Sequence, residues 1–180
     1  MKLIFASGLE EKFLKKQESL LALGGWLYYD SQEKLNKNFK NLEYDYLEKK
    51  FDIRSYIPKL RIKLLNALSF ALNEFHNKEF SKEYWTAIID PWLSHYLIQN
   101  YYRWCLVEKS CLDNKNLRSI FFKKLDYDPP FDQNDFFYFI ANSNSYNQFI
   151  FQRIYKFRKN EFTNLEFTVL DENIEKDNST

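Results

Sequence analysis

Glycine, proline and cysteine are scarce in this chain of 180 residues, at three, four and two copies. A glycine-rich phosphate loop needs closely spaced glycines, and neither GxGxxG nor GxxxxGKS/T occurs. Cys105 and Cys111 have no CxxC and no histidine pair at ligand spacing, which argues against a zinc site and a disulfide framework. Two reduced, buried thiols are expected instead. An excess of charge of one sign is missing too. Lys and Arg total 26 against 25 Asp and Glu, a net charge of +1, so neither nucleic acid nor an anionic membrane has an electrostatic claim as the main partner. The apolar run Leu3 to Ala6 breaks at Ser7-Gly8 and meets Glu10 and Glu11, far short of a signal peptide. No window approaches the ~18 consecutive apolar residues of a membrane span. The expectation is a cytoplasmic chain with no transmembrane segment, no metal and no nucleic-acid partner.

What is abundant is aromatic side chain. Hydrophobic residues make up 45%, with 18 Phe, 13 Tyr and 4 Trp, a composition unlike that of disordered chains. A chain of this length buries roughly 70% of its unfolded surface, enough to fold without staples. Two apolar runs, Leu3 to Ala6 and Ser19 to Tyr29, enclose the helix formers Leu9 to Gln17, which reads as strand, helix and parallel strand. The pair Gly24-Gly25 fits equally a turn that ends the second strand early. Residues 30 to 50 are polar and read as a surface crossing, with a helical turn or two near 43 to 50.

Further on, Leu60, Leu64, Leu65, Leu68, Leu72 and Phe75 recur at helical spacing and predict a helix of about 18 residues opening at Ile57-Pro58. Ser81 can cap the next helix, which carries Trp85, Ile88, Ile89, Trp92, Leu93, Tyr96 and Asn100 on one broad face, with a kink expected near Ala87 to Pro91 and an end near Leu112. After an extended loop at Pro129-Pro130, Asp132 or Asn134 caps a helix with Phe136, Phe137, Phe139 and Ile140. Another helix, Ser145 to Lys159, is expected to bury Tyr146, Phe149, Ile150, Ile154 and Phe157. From Asp171 the tail lacks an apolar face and reads as disordered. The fold class expected is α/β and mainly helical, a short two-stranded βαβ start packed on a bundle of four or five helices. Residues 1–160 form a single helix-rich domain in this reading, and 161–180 an extended or disordered tail.

Few residues invite chemistry. Ser7-Gly8, between strand and helix, can offer backbone N–H groups to a phosphate, but Glu10 and Glu11 in the first turn would repel it, and a plain turn is preferred. His76 ends the first long helix close to Ser81 and Tyr84, where it serves either as a base or ligand contact or as a capping, interhelix histidine. His95 has Pro91 and Gln99 at metal spacing and reads as packing. Trp85, Trp92, Tyr96 and Trp104 are either a platform that stacks a sugar or base or, more commonly for such rows, core. Gln99 and Arg103 fall near the Trp85/Trp92 face, so both must be paired or face a cleft. Arg103 is the candidate for an anionic ligand, with an internal salt bridge as its equal alternative. The candidate ligand-binding set is therefore His76, Tyr84, Trp85, Trp92, Gln99 and Arg103. No Ser-His-Asp, Cys-His or DxD arrangement is present, and Asp126, Asp128, Asp132 and Asp135 around the double proline read as turn and cap residues.

The run Leu72-Asn73-Glu74-Phe75-His76, then Ser81-Lys82-Glu83-Tyr84-Trp85 and Asp90-Pro91-Trp92-Leu93, gives the pattern LNxxH, SxxYW, PWL, continued by Gln99 and Arg103-Trp104. It resembles the N-terminal region of the LIC12162-type transferases, associated with O-antigen and other surface carbohydrate biosynthesis in bacteria. Leu23-Gly24-Gly25-Trp26 is similar to an early LGxW element, and Tyr127 to Phe157 to the segment after the long helix, so the resemblance spans roughly residues 3 to 158. It implies the N-terminal portion of a longer glycosyltransferase whose remaining half holds a nucleotide-sugar donor. It also implies a carbohydrate acceptor, a missing C-terminal half or downstream protein as partner, and a place in the cytoplasm or peripherally at the inner membrane face. No cofactor belongs to this chain by that reading, and no catalytic residue is carried over. The alternative is a non-catalytic helical interaction module or a truncated remnant.

Overall fold

The computed structural model describes residues 1–13, 19–24, 39–41, 53–127, 129–158 and 160–174. Contacts group the chain into two compact units, Met1–Glu43 with Arg103–Thr180, and Tyr44–Tyr102.

The first unit is built on an open sheet. Its strands are β1 (Lys2–Phe5), β2 (Ser19–Ala22), β3 (Phe39–Asn41), β4 (Leu117–Leu125) and β5 (Leu165–Ile174), in the spatial order β3-β2-β1-β4-β5. Every neighbouring pair is parallel, with Leu3 opposite Leu20 on one side and Arg118 on the other, and Ser119 opposite Phe167. Apolar residues on both faces of the strands explain this, because a parallel sheet must be covered on each side. Leu3, Leu20, Ile120 and Phe122 form a buried cluster on one face, packed by Leu9 and Phe13 of a short 3-10 helix, Leu9–Phe13. On the other face the Phe121 ring lies 4.6 Å from Phe167 and 6.2 Å from Tyr155.

Four helices are described: α1 (Ile53–His76), α2 (Lys82–Asp113), α3 (Gln133–Asn142) and α4 (Asn144–Phe157). At 24, 32, 10 and 14 residues they make the chain an α/β protein that is mainly helical, as the periodicity predicts. Caps fall where the side chains allow them. Ser81 Oγ accepts from the Tyr84 N–H at 3.2 Å, Asp132 Oδ1 from the Asp135 N–H at 2.9 Å, and Ser143 Oγ from the Tyr146 N–H at 3.1 Å.

Tyr44–Tyr102, the second unit, is an antiparallel pair made by α1 and the first part of α2. Ile57, Leu65, Leu93 and Leu97 are its buried centre, flanked by Leu60, Leu64, Leu68, Ile89 and Trp92. Arg61 Nη1 meets Asp90 Oδ2 at 3.3 Å beside it.

Several expectations are corrected. The parallel sheet continues beyond a two-stranded start: β3 lies in the expected surface crossing, and β4 and β5 complete the other half. Asp171–Ile174 belong to β5 rather than to a disordered tail, with Asn173 and Ile174 opposite Lys124 and Leu125. α1 is longer than expected and takes Pro58 into its first turns. Phe75 and Phe157, assigned to buried helix faces, are 82% and 78% exposed, and Ile88 is 55% exposed. Residues 25–38, which include the tryptophan of the LGxW element, the turns near 43 to 50, Asp128 and the end of the tail lie outside the described residues.

Candidate functional site

Open parallel sheets bind ligands outside the carboxyl ends of their strands, at the point where the strand order reverses. Here that point lies between β1 and β4, since β2 and β3 follow on one side of β1 and β4 with β5 on the other. The chain fills it with its own polar groups. Beyond β1 comes Ser7-Gly8, with Gly8 at φ +98°, a conformation that favours glycine. A Cβ there would also stand 3.2 Å from Asn144 Oδ1. The turn presents the N–H groups of Ser7 and Gly8 inward, and both donate to Glu10 Oε2, at 3.3 and 3.0 Å, while the Ala6 N–H donates to Oε1 at 3.0 Å. Glu10 is fully buried. Burial pushes its carboxyl above the ordinary carboxylate value, opposed by its own N–H, those of Ala6 and Ser7, and the Ser7 hydroxyl.

Two glutamines extend the arrangement. β1 pairs with β4 only at Leu117 and Arg118, so the facing edge of β4 beyond them needs other partners. Gln148 and Gln152, one turn apart on α4, supply them. Gln148 Nε2 donates to Ile120 O at 2.8 Å, Gln152 Oε1 accepts from the Phe122 N–H at 2.7 Å, and Gln152 Nε2 reaches Phe122 O at 3.3 Å. Gln148 Oε1 also accepts from Ser7 Oγ at 2.7 Å, which ties α4 to the β1 turn.

Arg103 belongs to this unit and is fully buried. Its Nε and Nη2 donate to Asn147 Oδ1 at 3.2 and 2.8 Å, and Nη2 also to Ile140 O at 3.3 Å. Asn147 Nδ2 returns to Ile140 O and Ser143 O at 3.0 and 2.9 Å, so the guanidinium sits within the junction of α3 and α4. Cys105 and Cys111 are buried and form no disulfide, and desolvation pushes the Cys111 thiol up to about 11, which leaves it unreactive near neutrality.

The other candidates lie in the second unit. His76, Tyr84 and Trp85 come together at the turn between α1 and α2: the His76 ring stacks on Trp85 at 5.8 Å, and Tyr84 meets Trp85 edge-on at 5.2 Å. Asn73 organises the turn. Its side chain donates to Phe80 O at 2.9 Å and accepts from the Phe80 N–H at 3.1 Å and from Trp85 Nε1 at 2.7 Å. Trp92 stacks on Tyr96 at 4.7 Å and packs against the core of the helix pair, and Gln99 is half-buried farther along α2. Trp104 instead lies under the Arg158 guanidinium, at 5.1 Å, in the first unit. The six candidates therefore do not form one site. Three gather at the turn, Trp92 and Gln99 lie along α2, and Arg103 belongs to the buried network.

Sequence reasoning weighed Ser7-Gly8 only as a phosphate turn and Glu10 only as a repeller of phosphate, and it missed Asn147, Gln148 and Gln152 as network residues. A signal was present. Asn147, Gln148 and Gln152 interrupt the same face of α4 as Phe151 and Tyr155, and polar residues inside an apolar stripe must find partners. Among the described residues no group of three or more His, Cys, Asp or Glu side chains could hold a metal, and no helix is long and apolar enough to cross a membrane.

No curated protein and no solved structure matches this chain. The family described as LIC12162 family transferase matches residues 2–180, nearly the whole sequence, so the chain belongs to that transferase family.

Proposed function

We propose that the chain is the N-terminal, acceptor-side or scaffold portion of a glycosyltransferase in bacterial surface polysaccharide (O-antigen-like) biosynthesis, whose nucleotide-sugar donor is held by a further half or a downstream protein. The transferase part of this reading follows from the family. The observation that supports placing the donor outside this chain is the Glu10 carboxylate on the N–H groups of Ser7 and Gly8. In a doubly wound sheet the turn after the first strand is where a nucleotide's phosphates are bound. A buried carboxylate on those donors excludes a second anion from the same atoms by charge and by space. The activated sugar must then meet its phosphate ligands elsewhere, and this chain supplies the wall against which an acceptor is presented. Such a chain works in the cytoplasm or at the inner face of the membrane, where nucleotide-sugars are available.

The purified 180-residue chain is expected to turn over no nucleotide-sugar, because a cleft shared by two halves would be half built. Nucleoside diphosphate release from a panel of nucleotide-sugars, against a heat-killed control, tests this. Release above the control would overturn the reading.

A second reading, a non-catalytic helical interaction module or a remnant, is favoured by the exposed Ile62, Phe70, Phe75 and Ile88 on α1 and α2. The neighbouring DNA discriminates. A continuing or adjacent frame for a sugar-nucleotide-binding half supports the first reading, and an unrelated neighbour supports the second.

A further inference from the structure

At the turn between α1 and α2 a concave opening of about 670 Å³ is lined by Phe70, Asn73, Glu74 and Asn77 and closed by Lys78, Glu79 and Phe80. Its size lies within the range of small-ligand sites. Its walls are built before any ligand arrives. Asn73 holds the Phe80 backbone from both sides and the Trp85 indole besides. The Lys78 N–H donates to Asn73 O at 2.9 Å, and Asn77 carries the turn at φ +51°. Inside this frame Phe70 is 73% exposed, and Phe80, whose ring packs against Tyr84 at 4.3 Å and Trp85 at 5.8 Å, keeps 40% of its surface in solvent. The proposed transferase role does not draw on this opening.

The lining selects the ligand. Two carboxylates against one ammonium make it negative by one charge, which disfavours phosphates, nucleotides and acidic sugars. Carboxylate acceptors, an ammonium donor and amides suit a partner whose groups both donate and accept, as hydroxyls do. Exposed aromatic faces suit a partner with an apolar C–H surface beside those hydroxyls. A pyranose ring has both. We propose that the opening at residues 70–80 is a binding subsite for an uncharged, hydroxyl-rich oligosaccharide. Its place as the acceptor rests on the glycosyltransferase reading, whereas binding itself does not.

The test uses the full chain on an array of neutral hexose and N-acetylhexosamine oligosaccharides with sialylated and phosphorylated controls, followed by titration of the best neutral compound using tryptophan fluorescence. Trp85, hydrogen-bonded to the Asn73 wall, is the local reporter. The expected result is binding of neutral compounds in preference to charged ones, with an affinity that changes less than about twofold between low and high salt. Phe70→Ala and Phe80→Ala should each weaken it at least about tenfold. Phe70 makes little of the fold, so the first variant should keep its melting temperature.

No binding of any neutral oligosaccharide, a preference for the charged controls, or unchanged affinity in both variants overturns the inference. So does a self-associating wild type that Phe70→Ala makes monomeric without any glycan bound, which would make the face a contact between copies. The readout requires no sugar transfer. Glycan binding with no transfer by the complete architecture sinks the proposed function alone, and transfer without binding at this opening sinks the subsite alone.

Discussion

Beyond β1 the chain turns polar side chains inward and engages them, whereas at the turn between α1 and α2 it leaves large aromatic side chains in water. Ser7, Glu10, Gln148 and Gln152 are each 5% exposed or less, yet Phe70 and Phe75 are more than 70% exposed. Both inversions cost free energy unless something offsets them. In the first region hydrogen bonds do so, since Ser7, Glu10, Gln148 and Gln152 each have a close partner. In the second, Phe75 keeps an edge contact with His76 at 5.0 Å, and most of the Phe70 and Phe75 surface stays in water. The comparison separates a region whose polar groups serve the fold from one whose apolar groups are available to a partner.

Glu10→Ala should break the first region most. It removes the acceptor of the Ala6, Ser7 and Gly8 N–H groups, at ~1–3 kcal/mol for each of three stranded donors, so a loss of about 6 kcal/mol is expected in denaturant unfolding. Glu10→Gln sharpens the cause. Burial raises the folded-state pKa of Glu10 above the ordinary 4.5, so between the two values the folded state holds the extra proton. The contribution of this group is therefore fully present below the unfolded value and declines as pH rises through the folded one. The wild type should lose stability relative to Glu10→Gln as pH rises through that window. A flat difference between the two would mean that the carboxylate is solvated, and the plug argument would fall.

Arg103→Met is the next effect in size. The side chain meets a neutral amide and a carbonyl in its described contacts, and Asn147 Oδ1 loses two charged donors when it is replaced. Methionine fills the stem volume, so about 2 kcal/mol is expected, at the level of one hydrogen bond from a charged group. Arg103→Lys should recover little of it, because an ammonium cannot reproduce the fork that reaches both Asn147 and Ile140. A melting temperature unchanged in Arg103→Met, with weakened binding of phosphorylated ligands, would restore Arg103 as a ligand contact and blur the two regions.

Helical periodicity and the parallel pair β1 and β2 were legible in the sequence, and the strands that extend the sheet were not. The leucine spacing of α1, the Ser81 and Asp132 caps and the helix after Ser143 follow from local chemistry, and the structure has them. β5 depends on a neighbour far away in the chain, as with Leu117 opposite Leu165, and its polar end from Asp171 to Ile174 carries no local sign that β4 will pair with it. The alternation of Leu165, Phe167 and Val169 with Glu166 and Thr168 was its one period-two signal. The site divided in the same way. His76, Tyr84 and Trp85 converge because one tight turn brings them together, and that much is readable from spacing. Ser7, which binds Glu10 locally, meets Gln148 across 141 residues, a contact made only once the sheet has formed. Helical spacing placed Phe75 and Phe157 on buried faces, although much of a folded surface is apolar as well.

The smallest expected effect tests the other side of the comparison. Phe75 is 82% exposed, and its ring meets His76 edge-on at 5.0 Å. Losing that contact costs a few tenths of a kcal/mol at the surface, and alanine in the last turns of α1 returns a similar amount through its better helix propensity. Phe75→Ala should therefore change unfolding free energy by less than about 0.5 kcal/mol. Because Phe75 lies outside the lining of the opening, the same variant should keep its affinity for neutral oligosaccharides, which makes it the control for Phe70→Ala. A loss above about 1 kcal/mol by chemical denaturation would place Phe75 among the packed residues of the unit. The exposed rings would then belong to the stability of the turn, and the contrast between a region closed on itself and a region left open to a partner would not hold.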